Sequence, residues 1–254
     1  MDCSKKTFIN SYFQLFSFLV GFLLNFVLCH GQISEKERDY YLLFDDFIGV
    51  DNTNLYQGVL YVKEYRTINE NTQFFRSDDF LSGSIDYNGQ MYFDLDLKYD
   101  VYNDELLLKI IQKAGGGTIK LFKENIESFE IEGRVFEQIY AESLPTGFYE
   151  VLVKNAFFTL YAKRVKKKFE RKDTFIFDEF LDGRSEYVLC YTNKYVLLKS
   201  KKSITGLFPE FKNDINEYYR KVNWRTKTDT DGFHIGLMKR IEIQLSNTKK
   251  PLVK

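Results

Sequence analysis

Residues that commonly carry enzyme chemistry are scarce in this chain of 254 residues, which contains two histidines, three cysteines and one tryptophan. Cys3, Cys29 and His30 fall in a leader that is predicted to be removed, which leaves Cys190 and His234. One cysteine cannot form an intramolecular disulfide. One histidine and one cysteine would need several carboxylates or a second subunit to complete a closed zinc site.

Sequence motifs for hydrolysis and nucleotide binding are also missing, since no G-x-S-x-G elbow, P-loop or H-E-x-x-H helix occurs. A single histidine such as His234 is typical of a satisfied surface or core residue. Cys190, within the apolar run EYVLCYTNKYVLL, is predicted to be a small buried side chain. The glycines of AGGGT, residues 114–118, lack the spacing of a phosphate loop and predict a connector between strands. We expect no cofactor and no catalytic constellation, although a pair of carboxylates could still hydrolyse glycosides without histidine.

Residues 1–31 have the features of an export signal. Lys5 and Lys6 form a basic start, and the apolar run SFLVGFLLNFVLC follows. Small residues at Cys29 and Gly31 predict cleavage between Gly31 and Gln32. We therefore treat 1–31 as a signal peptide and 32–254 as one β-rich domain.

Two other interpretations of the leader remain open. The segment FQLFSFLVGFLLNFVL is nearly long enough to span a membrane and could be retained as an anchor. Lipid attachment at Cys29 is a further alternative, but it is disfavoured because Leu28, rather than a small residue, precedes the cysteine.

Charge is divided unevenly between the two halves of the chain that follows the leader. Residues 32–153 carry 11 Lys and Arg against 23 Asp and Glu, a net charge of −12, whereas residues 154–254 carry 23 against 12, a net charge of +11. The halves should attract each other, either within one fold or between copies.

Short segments that alternate apolar and polar residues predict a protein made mainly of β-strands. Proline is rare, with three residues, and the chain contains 18 Tyr and 25 Phe. Asn88-Gly89 between alternating flanks predicts a hairpin, because both residues tolerate positive φ. The segments 148–169 and 185–200 predict two further hairpins, each broken at a central asparagine, Asn155 or Asn193. Extended segments are also predicted at 55–67 and 73–77.

After Lys199 the apolar period changes from two to nearly four, which predicts a helical segment over about 201–245. Ser203 is predicted to cap a short turn, and Pro209 to stand at the first position of a second helix. A third helix would present one apolar stripe, formed by Phe233, Leu237, Ile241 and Leu245. The fold class is α+β, mainly β: an antiparallel sheet or sheets of about ten strands, as a sandwich or open barrel, with two or three C-terminal helices covering one face or end.

Three sequence blocks resemble segments of other proteins. They are SGSIDYNGQMYFDLDLKYDVYNDELLL, GFYEVLVKNAFFTLYAKRVKK and LLKSKKSITGLFPEFKNDINEYYRKVN. In their order they resemble uncharacterised exported proteins of Bacteroidetes-type bacteria, over roughly residues 80–245. The resemblance implies a Gram-negative host, hence the periplasm or the outer-membrane periphery, and implies no activity or ligand.

An acidic stretch, MYFDLDLKYDVYNDELLLK, invites a metal-site hypothesis. Its alternation instead predicts a half-buried strand, with Asp94 and Asp96 facing water and Phe93, Leu95 and Leu97 on the opposite face. A calcium loop needs a glycine to bend the chain, and none occurs between Gly89 and Gly115, so no metal site is predicted. Asp104 and Glu105 are interpreted as turn residues after Asn103.

The basic run KRVKKKFERK is the most suggestive feature of the second half of the chain. It could meet an anionic partner, or it could be a solvated edge strand that uses lysine to prevent pairing with other sheets. Its candidate binding residues are Lys163, Lys166, Lys167, Lys168, Arg171 and Lys172.

These observations together favour an exported cell-envelope protein that acts as a non-enzymatic binding or assembly component. Its partner would be an envelope protein or an anionic glycan or lipid, recognised through strand edges and the basic run. Nucleic acid is disfavoured, because export separates the protein from DNA and the net charge is near zero. The alternatives are a carboxylate-based hydrolase of envelope glycans and a structural subunit anchored in the membrane by an uncleaved leader.

Overall fold

A computed structural model describes residues 35–48, 53–68, 70–112 and 115–248. The predicted leader 1–31 and its cleavage site at Gly31 and Gln32 lie outside the described residues. The chain divides into two units between Phe44 and Asp45. Among the residues described, no helix combines the length and the apolar character needed to cross a membrane.

The described strands form one large antiparallel sheet and one small one, which confirms the predicted fold class. The large sheet has 11 strands in the order β1-β5-β4-β3-β2-β6-β7-β8-β9-β12-β13, and β10 pairs only with β11. It is an open sheet and not a closed barrel, since β1 and β13 stand at its two ends. The strands are β1 (Gly58–Leu60), β2 (Leu81–Tyr87), β3 (Gln90–Asp100), β4 (Glu105–Gln112), β5 (Gly115–Leu121), β6 (Ile126–Ile131), β7 (Arg134–Ile139), β8 (Gly147–Lys154), β9 (Phe158–Lys163), β10 (Lys166–Lys172), β11 (Ile176–Asp182), β12 (Glu186–Tyr191) and β13 (Lys194–Leu197).

Helices precede and follow the strands. The described helices are α1 (Glu35–Ile48), α2 (Lys201–Leu207), α3 (Lys212–Val222), α4 (Arg225–Thr228) and α5 (Thr230–Thr248), with short 3-10 turns at Asn54–Tyr56, Lys123–Asn125 and Pro209–Phe211. Pro209 begins the turn that leads into α3, close to its predicted place at the start of the second helix. The short helix begins earlier than predicted: Ser200 occupies the N-cap position and Ser203 lies inside α2. Helices α1 and α4 were not anticipated from the sequence.

The three predicted hairpin turns are confirmed. Asn88 and Gly89 adopt φ of 55° and 74° between β2 and β3, as a tight turn between twisted strands requires. Asn193, with φ of 58°, lies in the turn between β12 and β13. Asn155 turns the chain between β8 and β9 through its side chain, which accepts hydrogen bonds from the backbone N–H groups of Phe157 and Phe158 at 2.9 and 3.0 Å.

A β-bulge changes the alternation in β3. Gly83 pairs with Leu95 but Ile85 pairs with Tyr92, so Phe93 and Asp94 together face one residue of β2. Asp94 has a φ of 55°, which is the distortion expected where an extra residue is inserted. Tyr92 and Leu97 are both buried, although strict alternation would put them on opposite faces, because the bulge shifts the alternation of side chains between them. The prediction that Phe93 shares one apolar face with Leu95 and Leu97 is therefore wrong at Phe93.

Two predicted extended segments form less sheet than expected. Of residues 55–67, Gly58–Leu60 alone is a strand, and 73–77 contributes one isolated bridge, between Phe74 and Asp100. Conversely, the glycines of AGGGT belong to β5, where Gly115, Gly116 and Gly117 pair with β4. The predicted connector is therefore wrong, since main-chain pairing requires no side chain.

An aromatic cluster lies at the centre of the larger core. Phe129 of β6 and Phe136 of β7 pair directly, and their rings stack with centroids 4.9 Å apart. The ring of Tyr99 lies 5.2 Å from that of Phe129, and Phe148 packs edge-on against Phe129 at 5.0 Å. Such pairs add to the free energy gained from burial alone.

A second core lies between the C-terminal strands and the helices. All four residues of the predicted α5 stripe, Phe233, Leu237, Ile241 and Leu245, are buried in it with Phe158, Leu160 and Leu189 of β9 and β12. Each such side chain contributes about 1.5–3 kcal/mol when it leaves water. The opposite face of these strands carries a smaller cluster of Ile139, Leu144, Tyr149, Tyr161 and Val188. The helices therefore cover one face of this end of the sheet, as predicted.

Candidate functional site

The basic run is divided between two sheets. Lys163 ends β9 of the large sheet, whereas Lys166–Lys172 form β10 of the small one. The partner strand, β11 (Ile176–Asp182), was not anticipated from the sequence, because its residues IFDEFLD mix apolar and acidic side chains without strict alternation. The six candidate binding residues consequently do not form one continuous surface.

Lys163 is a partly buried partner of Asp104. The carboxylate of Asp104 accepts hydrogen bonds from the Tyr99 hydroxyl at 2.7 Å, from Lys163 Nζ at 2.8 Å and from the ammonium of Lys123. Burial tends to raise the pKa of Asp104, but the two ammonium groups and the hydroxyl together lower it. Lys163 therefore holds β9 to the turn before β4 and is not presented to a partner.

Arg164, directly after β9, joins three parts of the fold. Its Nε donates to Glu150 of β8 at 2.5 Å, and its two terminal nitrogens donate to the two oxygens of Asp231 of α5 at 3.0 and 2.8 Å. Glu150 has a side chain that is 1% exposed, and a second arginine, Arg134, also donates to it, at 2.9 Å. The Tyr187 hydroxyl donates to Asp231 at 2.6 Å. Sequence reasoning missed this network, because its members are far apart along the chain.

The remaining cations of the basic run are on the β10–β11 hairpin, and three of them have acidic partners. Lys166 pairs with Asp182 at 3.0 Å, Lys168 with Asp178 at 3.1 Å and Arg171 with Glu179 at 2.8 Å. Within the described ranges, Lys167 and Lys172 have no carboxylate within 4.0 Å. Both are exposed.

Apolar side chains surround the end of this hairpin. Phe175 and Ile176 are 61% and 56% exposed, and Phe169 is also exposed. Ile176 pairs in register with Lys172, and the guanidinium of Arg66 lies 4.7 Å from the centre of the Phe175 ring. We call Lys167, Phe169, Lys172, Phe175 and Ile176 the hairpin surface.

The acidic stretch does not converge on one point. Asp96 pairs with Lys109 at 3.3 Å and Glu105 with Lys120 at 2.8 Å, while Asp104 belongs to the cluster with Lys163. Asp100 accepts hydrogen bonds from the backbone and side chain of Asn103. Over the described part of the chain, no three His, Cys, Asp or Glu residues are grouped so as to hold a metal ion. Asp104 is a turn residue as predicted, but Glu105 begins β4.

Three hollows adjoin one another beside Arg164. Their volumes are about 460, 340 and 300 Å³. Arg164 and Gly183 line the first two, Arg184 lines the last two, and Ser185 lines all three. The segment after β11 therefore contributes to the walls of all three hollows.

Comparison with known proteins adds no relative, since no family model, curated protein or solved structure matches the chain. The resemblance to exported proteins of Bacteroidetes-type bacteria stays a prediction.

Proposed function

We propose that this protein is an exported, non-enzymatic binding component of a Gram-negative cell envelope, and that it docks on an anionic lipid surface through the hairpin surface. Export is supported by the basic start, apolar core and small residues of the leader, 1–31. The periplasm or outer-membrane periphery would be its location.

The observation that carries the proposal is that one hairpin presents two lysines without a carboxylate partner among the described residues, together with exposed apolar side chains. Lys172, Phe175 and Ile176 lie at its turn, whereas Lys167 and Phe169 lie on the opposite face of β10 from Lys172. Lys166, Lys168 and Arg171 have acidic partners and hold the two strands together, whereas Lys167 and Lys172 have no carboxylate within 4.0 Å in the described ranges and can bind an external anion. Lysine near an anionic membrane contributes about 1 kcal/mol per residue.

The apolar members of the surface favour lipid over a glycan or an acidic protein. A phenyl ring and an aliphatic chain at the end of a hairpin, Phe175 and Ile176, can enter the boundary between headgroups and acyl chains. The flexible stems of Lys167 and Lys172 can lie along that boundary while their ammonium groups reach phosphate. A glycan offers hydroxyl groups to the same side chains and would leave Ile176 without a matching partner.

Vesicle sedimentation tests the proposal. We expect the protein to bind vesicles of phosphatidylglycerol and not vesicles of phosphatidylcholine, with binding that weakens as salt increases. The double variant Lys167→Glu/Lys172→Glu should bind about tenfold or more weakly, since it removes and reverses two charges. Phe175→Ser/Ile176→Ser should also weaken binding and reduce what survives at high salt.

Matched controls separate the hairpin surface from general surface chemistry. Lys194→Glu reverses an exposed lysine of β13, and Ile243→Ser removes an exposed isoleucine of α5. Neither control should change vesicle binding. Equal binding to neutral and anionic vesicles, or equal loss in the controls, would overturn the lipid proposal, and so would tight capture of an acidic envelope protein without vesicle binding. Turnover of an envelope glycan would support the hydrolase alternative instead.

A further inference from the structure

The smallest of the three hollows, about 300 Å³, lies where β12 and β13 meet the first turns of α5. It is separate from the hairpin surface. Leu198 N–H donates to the carbonyl of Tyr187 at 2.8 Å, which extends the β12–β13 pairing and places Lys199 beside the start of β12. Its lining includes Arg184, Ser185, Tyr187, Leu198, Lys199 and His234.

His234 supplies a buried polar group at the edge of this hollow. The residue is 8% exposed, and its buried Nδ1 has no hydrogen bond to any of the described residues. The imidazole is stacked on the Tyr187 ring, with centroids 4.0 Å apart and planes at 27°, so it is held in place against the wall of the hollow. A buried polar atom left unpaired costs about 1–3 kcal/mol, so a ligand that offers a partner to this imidazole would be favoured.

Two cations border the same hollow. Arg184 and Lys199 are exposed, and neither has a carboxylate within 4.0 Å among the described residues. Burial lowers the pKa of His234, Asp231 opposes that lowering, and Arg184 adds to it to a smaller extent. Positive charge at both residues is therefore available to a ligand in the hollow.

The nearby carboxylates do not cancel this charge. Asp231 adjoins Tyr187, but it is held by both terminal nitrogens of Arg164. Glu186 also lines the hollow, yet strand alternation directs its side chain to the opposite face from Tyr187. Consistent with that direction, Glu186 adds to the raised pKa of Tyr149, which belongs to the core on that opposite face.

We propose that this hollow binds the phosphate group of a small phosphate ester, with Arg184 and Lys199 as its cationic ligands and Ser185 and His234 as further hydrogen-bonding groups. Phosphate presents three terminal oxygens in a tetrahedral arrangement, and charge-assisted bonds from guanidinium and ammonium suit it. A carboxylate carries one negative charge, whereas a phosphate monoester carries about 1.5 to 2 at neutral pH and so matches two cations better. Leu198 and the Tyr187 ring provide an apolar wall for the organic part of the ligand.

The imidazole itself can report binding in a proton NMR titration of the full chain. The chain has two histidines, so the His234 signal is assigned by its loss in His234→Gln. We expect inorganic phosphate or glycerol 3-phosphate to shift this signal saturably, at constant ionic strength against chloride. Arg184→Gln/Lys199→Gln should weaken the apparent affinity about tenfold or more. Both changes are at exposed residues, and circular dichroism verifies the fold.

Lys194→Gln is the matched control, since it removes an exposed lysine outside the hollow. A saturable shift with glycerol 3-phosphate but not with short-chain phosphatidylglycerol would support a soluble monoester, and the reverse would overturn the proposal in favour of a diester lipid headgroup. No saturable shift with any of these probes, or a shift that Arg184→Gln/Lys199→Gln leaves unchanged, would overturn the proposal. Because vesicle binding is tested at Lys167 and Lys172, failure of either proposal is distinguishable from failure of the other.

Discussion

At the scale of single residues, Gly147 occupies a position where any larger side chain would overlap its neighbours. A Cβ built there would overlap the Asp104 carboxylate and lie 2.6 Å from Lys163 Nζ. Those groups cannot move aside freely, because Asp104 is held by Tyr99, Lys123 and Lys163. The absence of a side chain at the first residue of β8 therefore leaves room for the partly buried ion pair of Asp104 and Lys163.

Replacing Gly147 by alanine should separate this ion pair. We expect Gly147→Ala to lower the free energy of unfolding by about 2 kcal/mol, because disrupting a partly buried pair leaves its charges only partly compensated by water. The measurement is the urea midpoint at an unchanged denaturant slope. Gly117→Ala is the control: it lies in β5 with no atom within 4 Å of the added Cβ, and its effect should be small. Equal effects of the two changes would refute this account of Gly147.

At the scale of elements, Arg164 connects β8 and β9 to the start of α5. The guanidinium binds Glu150 and Asp231 at once, so it fixes the helix against the sheet at a point away from the apolar α5 stripe. Arg134 reaches the same Glu150, but its side chain is 44% exposed whereas that of Arg164 is 19% exposed. The two arginines therefore offer a matched comparison.

We expect Arg164→Met to destabilise the fold by about 3–5 kcal/mol, since it leaves a buried carboxylate without its closer cation. Arg134→Met should cost about 1 kcal/mol or less, as is usual for an exposed partner. Calorimetric and urea unfolding measure both. Adding Glu150→Met to Arg164→Met should recover part of the loss, which a double-mutant cycle would reveal as coupling. If the two substitutions had additive effects on the free energy of unfolding, the contact between Arg164 and Glu150 would not contribute to joining β8 and β9.

At the scale of the whole molecule, charges of the two halves meet inside one fold. The acidic half supplies Asp104 and Glu150 to Lys163 and Arg164 of the basic half. The expected attraction between halves is thus satisfied within the chain at these contacts.

The contributions of two buried groups to the free energy of unfolding change in opposite directions as pH rises. Burial raises the pKa of Asp100 to about 6, with Glu105 adding to the rise and Asn103 opposing it. Burial lowers the pKa of His234 to about 4, with Arg184 adding to the fall and Asp231 opposing it. Asp100 binds its proton more tightly in the fold, so its contribution is present at low pH and is lost as pH rises from about 4 through 6. The contribution of His234 is present above about pH 6.5 and is lost as pH falls towards 4.

Substituting either group should remove its contribution to the pH dependence of stability and leave that of the other group. Relative to the unaltered protein, His234→Gln should become less stable as pH rises from about 4 to 6, and Asp100→Asn should become more stable, each by at most about 1.4 kcal/mol per pH unit. Urea midpoints measured at several pH values provide the test, and taking differences from the unaltered protein cancels the other carboxylates. Slopes of the same sign in both variants would contradict these assignments.

Local chemistry explains why the sequence alone determined the β-rich class, the turns at Asn88-Gly89 and Asn193, and the α5 stripe. Turn residues set φ within one or two positions, and the apolar period of α5 is a property of one segment. The bulge at Asp94 and the pairing of three glycines in β5 depend instead on the neighbouring strand, which no single segment encodes.

Only the tertiary structure decided which charges of the basic run are available to a partner. The lysines of the run look equivalent in sequence, but Lys163 pairs with the partly buried Asp104, Lys166 and Lys168 pair with β11, and Lys167 and Lys172 have no carboxylate within 4.0 Å among the described residues. The network of Arg164 and the hollow beside His234 likewise bring together residues more than 40 positions apart. Ion pairs and hydrogen bonds form between groups that are close in space. Folding sets those distances, and the order of residues along the chain does not reveal them.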